Sequence, residues 1–315
     1  MLPSYAGKPS HERVLQRRGD LDSSRAYATS WEEERGDDGT MVPTAVLFLT
    51  NRQCPFRCVM CDLWVNTLRS SVAPGQIPAQ IASALGALPP ARQVKLYNSG
   101  SFFDPAAIPP EDDNAIAPML RPFDRVIVEA HPAFLRGAHG DRCLRLRDAI
   151  GGRLEVAVGL ETAHPGVLAR LEKGMTLDAF TGAAGFLRAE GIALRVFILL
   201  KPPFMTEEDG VTWACRSLDL ADECGATAAS IIPTRPGNPP MEEAGPFVAP
   251  ALHSLERVVE YGIARVRARV FADLWDVERF YTCECSGARA DRLREMNRMQ
   301  HHAEPVMCGC TTSRS

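Results

Sequence analysis

The chain has 315 residues, 45% hydrophobic and 23% charged, the balance of a folded protein with a sizeable core and not of a disordered or fibrous one. A formal net charge of −4 offers no global attraction for nucleic acid, and no apolar run reaches the roughly 18 residues that a membrane span takes. The opening residues MLPSYAGKPSHERVLQRRGD lack the apolar centre of a secretory signal. Ten cysteines therefore point to metal or redox chemistry in a reducing compartment, the cytoplasm, and not to a disulfide framework.

Residues 1–40 are polar and mixed in charge, with SWEEERGDDG at 30–39. They read as an N-terminal extension, part helical around Tyr27 and Trp31. From Met41 apolar strands alternate with helical stretches. The strand candidates are TAVLFLT (44–50), QVKLYN (93–98), DRVIVEA (124–130), LEVAVGL (154–160), LRVFILL (194–200) and TAASIIP (227–233). Helical periodicity covers 77–88, 141–150, 165–171, 177–190 and 207–223. Near-continuous apolar strands belong to parallel sheets covered on both faces. The expected fold class is thus α/β, a partial TIM barrel of six β/α units over 41–235, with its chemistry at the C-terminal ends of the strands. Proline and glycine in PTRPGNPPMEEAGPFVAP (233–250) mark a boundary. In the C-terminal region, 236–315, helical spacing runs over 251–270, FADLWDVERF (271–280) reads as a closing strand and turn, and 281–315 is polar with four cysteines.

Cys54, Cys58 and Cys61 stand in NRQCPFRCVMCD, directly after the first apolar strand. A [4Fe–4S] cube normally takes four thiolates, so three on one loop leave one iron open, as an open zinc position is open to substrate. A zinc site and chance clustering are the alternatives; zinc usually takes four ligands in paired CxxC spacings. The motif and its position resemble the radical S-adenosylmethionine (SAM) superfamily. That resemblance implies a cluster on Cys54, Cys58 and Cys61 whose fourth iron chelates SAM. It also implies reductive cleavage to methionine and a 5′-deoxyadenosyl radical, with an electron donor of flavodoxin or ferredoxin type. Met60 stands where members often carry an aromatic near adenine, and its polarizable thioether can pack on a ring. Ser99, Gly100 and Ser101 occupy the place of a GGE-like segment that holds the SAM amino group, although no acidic residue follows.

The segment Gly159-Leu160-Glu161-Thr162 resembles the GLE-S/T of the Elongator catalytic subunit, MiaB and NifB-like branch. There Glu161 would accept hydrogen bonds from SAM, or else pair with a nearby basic residue. For the SAM carboxylate the cationic candidates are Lys201, at a strand's C-terminal end, and Arg195, at a strand start where exterior charges are common. Lys201 is preferred. Glu129 and His131 could face substrate or SAM. YNSGSFFDPAAIP (97–109), the GLET and ILLKPPFMTEEDG (198–210) together look like the archaeosine-synthesis radical SAM lyase family, RaSEA and its bacterial relatives, over about 41–225. This implies a fold and cofactor, whereas PTRPGN and the cysteine tail depart from the family and leave the substrate open.

Cys283-Glu-Cys285 and Cys308-Gly-Cys310 form a second constellation, suited to zinc or a second Fe–S cluster, with the radical SAM setting tilting toward the cluster. Cys143, Cys215 and Cys224 read as small buried apolar residues. The leading expectation is a radical SAM enzyme acting on a small molecule, natural-product precursor or nucleoside. A tRNA-modifying lyase and a non-catalytic Fe–S or zinc scaffold are the alternatives.

Overall fold

A computed structural model describes residues 21–243 and 245–310. The six apolar runs form parallel strands β2 (Met41–Phe48), β3 (Gln93–Tyr97), β4 (Arg125–Glu129), β5 (Arg153–Glu161), β6 (Ala193–Leu200) and β7 (Ala228–Pro233). Two more strands extend the sheet, β1 (Ala28–Arg35) antiparallel to β2 and β8 (Arg269–Ala272) parallel to β7. The eight strands lie in sequence order and curl into a partial barrel. The helices are α1 (Gln76–Ala87), α2 (Asp113–Leu120), α3 (Gly137–Ile150), α4 (Pro165–Arg170), α5 (Leu177–Ala189), α6 (Glu207–Glu223), α7 (Pro239–Glu243), α8 (Leu252–Arg265) and α9 (Ser286–Met299). Buried side chains from the sheet, such as Leu96, Val128 and Val196, and from the helices, such as Ile81 and Phe180, form one core, as a covered parallel sheet requires.

Three features differ from the sequence expectation. Residues 28–35 are a strand, not a part-helical extension; residues 1–20 lie outside the described chain. Helix α2 went unread because Pro118 sits inside it, and proline disfavours a helix interior. Helix α9 went unread because its composition is polar; only Ala290, Leu293 and Met296 form its buried apolar stripe.

Strand β1 explains the acidic run at 32–34. Alternation puts Glu32 and Glu34 on one face, and that face meets cations inside the barrel. Lys95 Nζ donates to Glu32 at 2.6 Å and to Glu34 at 2.5 Å. Arg195, read as an exterior charge, is instead 1% exposed. Its Nε donates to Glu155 at 2.6 Å and its Nη2 to Glu34 at 2.6 Å. A β1 residue reaching β6 must cross the concave interior. Arg125 adds bonds to Glu155 and Asp37, and Arg269 on β8 donates to the Arg35 carbonyl on β1 at 2.6 Å. Four cations (Lys95, Arg125, Arg195, Arg269) thus meet four carboxylates (Glu32, Glu34, Asp37, Glu155) near the strand starts. Burial alone would raise the Glu34 carboxyl, but Arg195 and Lys95 overcome it and hold the group far below the carboxylate range. This plug closes one end of the barrel and leaves the other for chemistry.

Candidate active site at the C-terminal rim of the barrel

A cavity of about 340 Å³ lies at the C-terminal ends of the strands. Cys54, Cys58 and Cys61 line it together with Met60. The cysteine loop follows β2 and is held from three sides. Gln53 N–H donates to the Leu68 carbonyl (2.9 Å), and Val59 N–H to the Leu171 carbonyl just beyond α4 (2.9 Å). From the proline-rich segment, buried Asn238 donates through Nδ2 to the carbonyls of Val59 (2.8 Å) and Cys61 (2.7 Å). Phe56, between the first two cysteines, stacks on His131 with ring centroids 3.8 Å apart.

Burial pushes the Cys54 thiol up to about 11 and raises Cys58 and Cys61 as well, with Lys173 opposing the shift at Cys54 and Cys58. Such thiols ionise when a cationic centre takes the thiolate. His131 also lines the cavity, but its ring is committed. Nδ1 accepts from Ala133 N–H at 3.1 Å, which leaves Nε2 to donate to the Lys173 carbonyl at 3.1 Å. The donor set offered on this loop is therefore three thiols, which fits a cube with one open iron.

The β3 end reaches the same cavity through Ser99 and Gly100. Ser99 has φ 53°, a left-handed turn, and its hydroxyl is 3.1 Å from that of Tyr27. Gly100 packs against the cysteine loop: a Cβ there would stand 3.4 Å from Cys54 Cβ, in van der Waals contact. Ser101, by contrast, does not line the cavity and is buried. Glu129, at the end of β4, lines the cavity, but its Oε1 accepts the N–H groups of Asn98 (2.5 Å) and Gly100 (3.2 Å). Burial raises its carboxyl; those N–H groups oppose the shift. One oxygen of Glu129 thus fixes the β3 turn.

The GLET places Glu161 at a bulge in β5, with φ 64°, a strained conformation for a non-glycine residue. Its side chain folds back over Gly159 and meets Lys173 Nζ at 2.7 Å. A Cβ at Gly159 would come within 2.2 Å of Glu161 Oε1 and 2.8 Å of Lys173 Nζ. The ion pair occupies the space a side chain would take, so any larger residue at 159 has to displace it. Both charges line the cavity. Burial favours neutral Lys173, yet Glu161 and then Cys58 reverse this and raise it above its ordinary value.

Lys201, the preferred cation from sequence, is elsewhere. It directly follows β6 with φ 53°, donates to Glu207 at 2.9 Å at the start of α6, and does not line the cavity. The cations that do are Lys173 and Arg235. Arg235 is held by Asp276 (2.7 Å), Asp273 (3.0 Å) and the Trp275 carbonyl (2.6 Å). Sequence reasoning missed Lys173, Arg235 and Asn238. The one available signal was that Lys173 follows GLET within LEKGMT.

No protein-family model matches the chain. An uncharacterized protein of Methanocaldococcus jannaschii is 22% identical over an alignment of 329 positions, which takes in 96% of this chain and 89% of that one. Archaeosine synthase subunit beta of Methanosarcina acetivorans is 27% identical over 204 residues, 62% of this chain and 58% of that one. The same subunit of Thermococcus kodakarensis is 32% identical over 134 residues, 41% and 40% respectively. The matches therefore span about half the length of those two subunits. Among solved structures, Streptococcus suis SuiB bound to S-adenosylmethionine aligns with a TM-score of 0.52 at 12% identity, over 72% of this chain and 51% of SuiB. The chain shares its fold with SuiB. Within that shared fold the cysteine loop follows β2, the first parallel strand, and opens onto the barrel's C-terminal rim. Among the described residues no helix is long and apolar enough to cross a membrane.

Proposed function

We propose that this protein is a radical SAM enzyme whose cluster is held by Cys54, Cys58 and Cys61. When bound, the cluster supplies the electron that cleaves SAM into methionine and the 5′-deoxyadenosyl radical, which then takes a hydrogen atom from substrate. The observation that carries this reading is one cavity containing three thiols, the Glu161–Lys173 pair and the β3 turn. Lys173, not Lys201, is the cation suited to the SAM carboxylate, because it lies beside the thiols in a partly dry cleft. Glu161 is suited to SAM hydroxyl or amino groups, and the Ser99–Gly100 turn, with Met60, to the methionine and adenine ends. The apolar walls at Phe48, Tyr97 and Phe197 exclude water, which protects a reactive radical.

Anaerobic reconstitution with iron and sulfide, reduction and quantification of 5′-deoxyadenosine test the proposal. The wild type should form it, and Cys54→Ala, Cys58→Ala and Cys61→Ala should not. Undiminished cleavage by any of the three variants refutes the assignment, and a wild type that binds iron without cleaving SAM returns the scaffold reading. The substrate is a small molecule, natural-product precursor or nucleoside, with a flavodoxin or ferredoxin as reductant. Similarity to the archaeosine synthase beta subunits favours a second reading, a lyase acting on modified tRNA. Stimulation of 5′-deoxyadenosine release by tRNA would separate the two.

A further inference from the structure

The chain's last described segment folds back on itself. Helix α9 starts at Ser286, directly after Cys283 and Cys285, and residues 300–310 return along it. Arg292 holds the returning chain through the carbonyls of Ala303 (2.8 Å) and Glu304 (2.8 Å), and Arg289 through that of Val306 (3.4 Å). Both arginines are anchored to α8, Arg289 by Glu256 and Arg292 by Glu256 and Glu260. The reversal brings Cys308 and Cys310 to the start of α9. All four sulfurs lie within 4.8 Å of one another, with Cys283–Cys308 at 3.9 Å and Cys285–Cys310 at 3.5 Å.

We infer that these four cysteines bind one tetrahedral zinc ion and not a second iron–sulfur cluster. Sulfurs about 2.3 Å from a tetrahedral centre are about 3.8 Å apart; the 3.9 and 3.5 Å separations bracket that value and no pair exceeds 4.8 Å. In a cube each thiolate binds its own iron on the outside of the core and stands farther from its fellows. A disulfide needs about 2.05 Å between sulfurs, well below either distance. Four protein thiolates leave no open position, the arrangement of a structural site, and none of the four lines the barrel cavity. On binding, each thiol gives up its proton and the ion takes four thiolates, a net charge of −2. The N-terminal end of α9 faces that charge with the favourable end of its dipole, and the Ser286 hydroxyl donates to Cys283 Sγ at 3.7 Å.

The ion locks the helix that seals the barrel's last strand. Asn297 and Gln300 act as a surrogate strand for β8. Ala272 N–H donates to Asn297 Oδ1 (2.7 Å) and Val270 N–H to Gln300 Oε1 (2.7 Å), while the two amide groups donate back to the carbonyls of Ala272 and Val270 (2.9 Å each). These side chains occupy a sheet edge that would otherwise be open to another chain.

Zinc, iron and sulfide are measured per chain on the anaerobically reconstituted full-length protein and on a Cys308→Ser/Cys310→Ser variant. The wild type should carry about one zinc, the variant less than a tenth of that with unchanged iron. Hydrogen exchange at 270–272 and along α9 should be faster in the variant, and circular dichroism should confirm a folded barrel. Cobalt in place of zinc should give the charge-transfer absorption of a tetrahedral thiolate site. Loss of about four irons and no zinc in the variant would mean a cluster and overturn the inference. A metal-free wild type with Cys283–Cys308 and Cys285–Cys310 disulfides would also overturn it. Failure of SAM cleavage with zinc retained would count against the barrel reading alone.

Discussion

Asn238→Ala tests whether the proline-rich segment holds the cysteine loop in place. The substitution removes two donated hydrogen bonds, to the carbonyls of Val59 and Cys61. Val59 is 4% exposed and Asn238 2%, so water does not readily replace the lost donor at Val59. A buried acceptor left unpaired costs about 1–3 kcal/mol. With the Cys61 carbonyl half-buried, the expected loss is about 2–4 kcal/mol for the ordered loop. Part of it appears as global destabilisation in urea unfolding of the apoprotein. The rest appears as looser cysteines and lower iron incorporation at equal reconstitution. Asn238→Asp should be no better, since a carboxylate faces two carbonyls and donates nothing. The reasoning fails if Asn238→Ala unfolds within about 0.5 kcal/mol of wild type and binds the same iron.

Lys173→Ala should weaken SAM binding several-fold while Lys201→Ala leaves it near wild type, measured by equilibrium dialysis at constant cluster absorbance; the reverse ranking would restore Lys201. Gly159→Ala should disturb SAM binding as Glu161→Ala does, because its methyl displaces the Glu161–Lys173 pair; unchanged affinity would show that pair to be dispensable. Arg195→Met leaves Glu34 and Glu155 buried and short of a partner, so urea unfolding at pH 7 should show a loss of about 3–5 kcal/mol. The plug's contribution is present above the ordinary carboxylate range and fades as pH falls toward the depressed values of Glu34 and Glu155. Burial, with Lys173 nearby, pushes His131 down to about 4, so the folded state keeps it neutral where the unfolded chain takes a proton. Stability should be full above pH 6.5 and fall by about 2 kcal/mol between 6.5 and 5. His131→Gln should flatten that slope, and an unchanged slope would exclude His131 as its source.

The parallel strands and the cysteine triplet were legible in the sequence for physical reasons. A strand buried on both faces must be apolar along its length, and three thiols on one loop carry their spacing wherever the loop goes. Glu161 was also legible, as an acid at a strand end. Its partner was not, because the bulge at Gly159–Glu161 decides which way the side chain turns, and backbone φ is not written in composition. The choice between Lys173 and Lys201 depends on that same turn. Strand β1 was hidden because its buried carboxylates read as solvated until Lys95 and Arg195 stand opposite them. Asn238 is an ordinary loop amide until the chain brings it to Val59 and Cys61. The four tail cysteines were legible as metal ligands by type and spacing, but whether they suit one ion or four depends on distances between sulfurs. Those distances are set by the reversal along α9, a long-range arrangement that only the tertiary structure decided.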